Sequence, residues 1–78
     1  MMTIAMVDKQ KELEDLAKAD QDIADGERRV ADQIILIEQM IRQGRDTALA
    51  EEFLRSLEQT LEQWHVHRRL ILDALDRG

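Results

Sequence analysis

The side chains able to do chemistry are few: Glu62, Trp64, His65, His67 and Arg68 in the second half of the chain, with Asp20, Asp22, Asp25 and Glu27 in the first. Glu62-Gln63-Trp64-His65 has the Glu-x-x-His spacing with which di-iron bundles bring two ligands from one helix onto a metal. Such a bundle needs a second motif and two further inward glutamates. Here there is one motif, and Glu62 and His65 fall on the outer side of their helix, so no metal ligand is assigned. His65 and His67 diverge by about 200 degrees around a helix and cannot chelate together. Ser56 lies on an outer surface, no Ser or Cys nucleophile sits beside a base, and no Gly-rich phosphate loop occurs. No catalytic or cofactor-binding residue is expected, and the chain does not read as an enzyme.

What would position these groups is a heptad pattern. Leu13, Leu16, Ile23, Val30, Ile34, Ile37 and Ile41 follow steps of three and four; after Gly44-Arg45-Asp46-Thr47 the pattern resumes with Ala50, Leu54, Leu57, Leu61, Trp64, Ile71 and Leu75. The fold class is therefore all-α: a two-helix antiparallel hairpin with helix 1 over about 4–43 and helix 2 over about 47–76. Thr3 or Asp8 can cap the first helix and Asp46 or Thr47 the second, with Gly44 as the left-handed residue between them. Gly26 could break helix 1 and give three helices. The heptad phase runs from Leu16 through Ile23 to Val30 without a slip, which predicts a continuous helix.

Pairing the helices across a tight turn sets Ile41 against Ala50, Ile37 against Leu54, Val30 against Leu61, Glu27 against Trp64, Ile23 against Arg68 and Leu16 against Leu75. In that register Asp20, Glu27 and Arg68 occupy consecutive layers and form a core polar network, the guanidinium serving both carboxylates. A register lock is the first role for such a group. The alternatives are a ligand- or metal-binding bundle using the polar layers around Trp64, with Gly26 making room, and a loosely solvated end of the hairpin. His65, His67, Arg68 and Arg69 complement the acidic segment Asp20, Asp22 and Asp25 across the hairpin.

Flanking positions that are usually charged in a two-stranded coiled coil hold Ala17, Ala19, Ala24, Gly26, Ala31, Phe53, Thr60 and Ala74. Near the turn the apolar face widens through Ile35, Leu36, Met40, Leu49 and Phe53, the expected interaction surface. A homodimer closing into a four-helix bundle is the expected partner arrangement, with an unidentified second protein as a further possibility. The N-terminal segment 1–12 is expected to overhang the hairpin as part of a single domain spanning 1–78. Its apolar Ile4, Met6 and Val7 are a candidate docking site.

Composition bounds these readings. At 78 residues the chain is one small domain; it has no cysteine for a disulfide or thiolate metal site, no proline, and three glycines. A formal charge of -6 argues against a phosphate-tracking surface, so no nucleic-acid partner is expected. No apolar run approaches the roughly 18 residues of a membrane span, and no signal peptide is visible, so a cytoplasmic location is expected.

The string Gly26-Glu27-Arg28-Arg29-Val30-Ala31-Asp32-Gln33, then Ile37, Gly44-Arg45-Asp46-Thr47, Ala50-Glu51, Leu54, Leu57, Thr60-Leu61 and His67-Arg68, resembles small bacterial helical-hairpin proteins. The resemblance covers roughly residues 20 to 75 and is moderately specific only as a set. It implies a bacterial, cytoplasmic, short helical protein of antiparallel coiled-coil type with no activity assigned, and it transfers no catalytic residue.

Overall fold

Two helices make up nearly all of residues 8–77, the part of the chain that the computed structural model describes: α1, Lys9–Arg42, and α2, Ala48–Arg77. Asp8, in extended conformation, caps α1 by accepting a hydrogen bond from the Lys11 backbone N–H at 3.2 Å. The helix runs unbroken through Gly26 for 34 residues, so the three-helix alternative does not arise. It ends where Gly44 takes a left-handed φ of 71°. There the Arg45 N–H reaches back to the Met40 carbonyl at 2.9 Å and the Gly44 N–H to the Ile41 carbonyl at 3.0 Å. This is the reciprocal pair of bonds that satisfies the last carbonyls of a helix. Asp46 opens α2 by accepting from the Ala48 N–H at 2.9 Å, and the Thr47 hydroxyl bonds the Glu51 carboxylate.

The helices pack antiparallel. Gln33 reaches the Ala50 carbonyl, Gly26 lies against Leu61, and Asp20 bonds Arg68. Side chains of α2 that turn inward are those expected: Ala50, Leu54, Leu57, Leu61, Trp64, Ile71 and Leu75 are all buried or half-buried. On α1 only half of the expected seam is right. Leu16, Ile23, Val30 and Ile37 face α2, but the alternate positions are Ala19, Gly26, Gln33 and Met40, one residue earlier than Asp20, Glu27, Ile34 and Ile41. Leu13, Ile34 and Ile41, expected in the core, are exposed.

The register differs as well, by one helical turn. Leu61 meets Gly26, where the tight-turn pairing set it against Val30. Size explains the shift. A Cβ built on Gly26 would lie 3.1 Å from Leu61 Cδ1, so the large side chain packs this closely where its neighbour has none. The same offset matches Ala50 with Ile37 and Ala19 with Arg68, small against large along the seam. Glu12, placed in an overhang by the sequence reading, is half-buried on α1. Ile4, Met6 and Val7 lie outside the described residues.

Among the described residues only Ala19, Ile23, Ile37 and Ile71 are buried, and no large side chain is fully enclosed. Among these residues no helix is long and apolar enough to cross a membrane.

Candidate functional site

Trp64 stands where the polar residues of the two helices meet. It sits on the inward side of α2, and its indole packs edge-on against the His67 ring one turn away, with centroids 5.7 Å apart and planes at 70°. On one side it borders a cleft of about 170 Å³ lined by Asp22, Asp25, Gly26 and Arg29 of α1 and by Leu57, Thr60 and Leu61 of α2. On the other, a second cleft brings in Asp15, Lys18 and Ala19 together with His67. Trp64 therefore neighbours Asp22 and Gly26, not Glu27. Gly26 lines the first of these clefts and also lets Leu61 approach α1 closely.

The three-member polar network is reduced to a pair. The Arg68 Nε–H donates to Asp20 Oδ1 at 2.6 Å across the helices, with Arg68 38% and Asp20 53% exposed at the side chain. Glu27 is exposed on the flank of the seam, because it follows Gly26, the residue that occupies the inward position, and it makes no bond to Arg68. No charged side chain is buried among the described residues, so the expected buried layer is an ion pair at the rim. The other acids make local pairs: Lys18 with Asp22 at 3.4 Å and Arg28 with Asp25 at 3.8 Å. Asp15 accepts a hydrogen bond from Lys11 at 3.1 Å, and that bond and its charge raise the Lys11 ammonium above its ordinary pKa.

The polar group that does enter the seam is Gln33. Its Nε2 donates to the Ala50 carbonyl at 2.9 Å while the residue is half-buried. The branched apolar heptad does not mark it, although it stands seven residues after Gly26 and seven before Met40, in the column of small and polar residues that begins at Ala19. A seam amide fixes alignment much as a charged layer would, at lower desolvation cost.

Glu62 is exposed and His65 half-buried, on the side of α2 away from Trp64's clefts. Among the described residues no three His, Asp or Glu side chains converge on a point that could hold a metal ion. The apolar surface expected near the turn is divided. Leu36, Leu49 and Phe53 flank the seam on the side that carries the Trp64 clefts; Ile34 and Ile41 flank it on the opposite side; Ile35 lies at the back of α1 and Met40 is half-buried in the seam. No protein family, curated protein or solved structure matches the chain.

Proposed function

We propose that this chain is a non-enzymatic interaction module that works as a homodimeric four-helix bundle, a small regulatory or adaptor protein that docks other proteins through surfaces the dimer presents. One observation carries the reading. Among the described residues ten large apolar side chains are exposed against four buried residues, with Leu49 at 80% and Phe53 at 55%. A core in a chain this short rarely supplies more than about 3–5 kcal/mol, and a two-helix seam uses only one stripe of each helix. Covering the flanking apolar residues with a second copy gives each helix two neighbours. The bacterial, cytoplasmic setting that accompanies the resemblance of residues 20 to 75 belongs to the same proposal.

Light scattering on the purified chain at micromolar concentration tests the assembly, with a dimer mass expected and Phe53→Glu expected to shift it to the monomer. A compact, stable monomer overturns the reading. A second reading is favoured by the cleft beside Trp64, where Asp22, Asp25, Arg29 and Thr60 offer both charges and a hydroxyl: a small polar ligand or cation held against the indole. Trp64 is the sole tryptophan, so its fluorescence reports directly on that cleft. Titration with divalent cations and with small amines that leaves the emission unchanged rejects this second reading.

A further inference from the structure

On α2, the positions flanking the seam beside Trp64 and His67 form a stripe at alternating steps of four and three. Leu49, Phe53, Ser56 and Thr60 make its first half; Gln63, His67, Leu70 and Ala74 make its second. None carries a fixed charge in a chain that is 36% charged, and all but the half-buried Ala74 are exposed, Leu70 at 60%. The opposite flank of α2 is mostly charged, with Glu51, Arg55, Glu58, Glu62, Arg69 and Asp76 interrupted only by His65 and Leu72. The stripe also reads alike from either end: two apolar residues, four polar uncharged ones, two apolar ones.

We propose that this stripe is the surface on which a second copy of the chain docks, α2 against α2 and antiparallel, with the two-fold axis passing between Thr60 and Gln63. The inference rests on the homodimer reading above and specifies its contact. An isologous interface requires a surface complementary to itself, and reversal about that axis meets the requirement at every position. Phe53 meets Leu70 of the second copy, Leu49 meets its Ala74, Ser56 its His67, and Thr60 its Gln63. The apolar ends are covered, and the centre is left with neutral groups that can donate and accept. Beside the axis lies an open hollow of about 430 Å³ lined by Thr60, Gln63, Trp64 and His67, which receives the same polar side chains from the second copy.

Charge selects this face, and the helix dipoles favour this direction. Each copy carries -6, and the stripe is where two copies can touch without setting like charges against each other. A parallel pairing would also match apolar with apolar, but it would hold the Asp22 and Asp25 groups of both copies at one level and align the two α2 dipoles. Reversal opposes the dipoles, and because the axis passes at the level of the Gly26–Leu61 contact it separates the two Asp22 groups by about 10 Å along the rod while leaving the two Asp25 groups nearly level.

Because the chain has no cysteine, introduced thiols report contacts without background. A size-tagged F53C chain mixed with an L70C chain is expected to form the mixed disulfide on mild oxidation, while either variant alone remains reduced. Spin labels at the exposed Glu52, Gln59 and Asp73 give a second measure that leaves the stripe intact. At a rise of about 1.5 Å per residue, the axial separation between copies is expected to be about 8 Å at residue 59, rising to about 28 Å at 52 and about 34 Å at 73. A monomer by light scattering overturns the dimer and this contact together. A dimer whose label distances are equal at the three sites, or which links F53C to F53C, overturns the antiparallel contact alone. So does a dimer in which the mixed disulfide is absent and the distances show no minimum near residue 59.

Discussion

Gly26 does opposite things for its own helix and for the pair. Within α1 it costs about 1 kcal/mol relative to alanine, yet it creates the hollow that Leu61 fills. A single Cβ would meet the far end of a half-buried leucine that has room to turn, so the propensity gain outweighs the contact. Gly26→Ala is expected to raise the thermal midpoint slightly, by no more than about 1 kcal/mol of stability, whereas Gly26→Leu is expected to lower it by about 1–3 kcal/mol through overpacking. Circular dichroism melts at one fixed protein concentration check both signs. Arg68 leads to a similarly concrete expectation. A buried triad would make its loss cost several kcal/mol, but the observed pair is substantially exposed, where coupling is about 0–1 kcal/mol. In a urea double-mutant cycle, Arg68→Met with Asp20→Asn should give coupling within that range, and Arg68→Met with Glu27→Gln none.

The turn sets the limits of both helices. Gly44 holds a left-handed φ of 71° with no neighbouring atom near where its Cβ would be, so a side chain there suffers backbone strain and no clash. Gly44→Ala is expected to destabilise by about 1–2 kcal/mol, and Gly44→Asn, which tolerates that conformation better, by less. Asp46→Ala should cost about 1 kcal/mol by removing the bond to the Ala48 N–H. Both losses should show as lower urea midpoints with an unchanged slope, because neither alters how much surface unfolding exposes. The register belongs to this scale too. With the same turn, the helices could slide by one turn and keep apolar residues opposed, and the choice falls to the pairing of small with large: Gly26 with Leu61, Ala50 with Ile37.

The molecule as a whole is a thin acidic rod, and among its described residues nearly half of the large apolar side chains are exposed. If two rods associate, unfolding and dissociation are linked, and the thermal midpoint should climb with protein concentration. A tenfold dilution that leaves it unchanged argues for a monomer. Association of two copies at -6 each should also strengthen as salt screens their repulsion. Raising monovalent salt from 0.05 to 0.5 M is therefore expected to lower the dimer dissociation constant in sedimentation equilibrium, and a weaker dimer at high salt would point to an interface held by opposite charges.

The two helices, their turn and the inward face of α2 were legible in the chain itself, because heptad spacing, caps and a left-handed glycine act locally and leave their mark over a few residues. The inward face of α1 was legible only in part. Leu16, Ile23, Val30 and Ile37 announce themselves as branched apolar residues, but the alternate column is Ala19, Gly26, Gln33 and Met40, while the stronger apolar signal one position later, Ile34 and Ile41, belongs to the surface. Hydrophobicity alone cannot tell a seam from a flank when both are apolar. That choice is made by volume, which exists only between two helices: the lack of bulk at Ala19 and Gly26 is what allows Leu61 and Trp64 to enter. For the same reason Asp20 and Arg68 could be matched from charge, whereas their place at the rim, and the absence of Glu27 from their company, followed only once the helices had settled one turn from the simplest pairing.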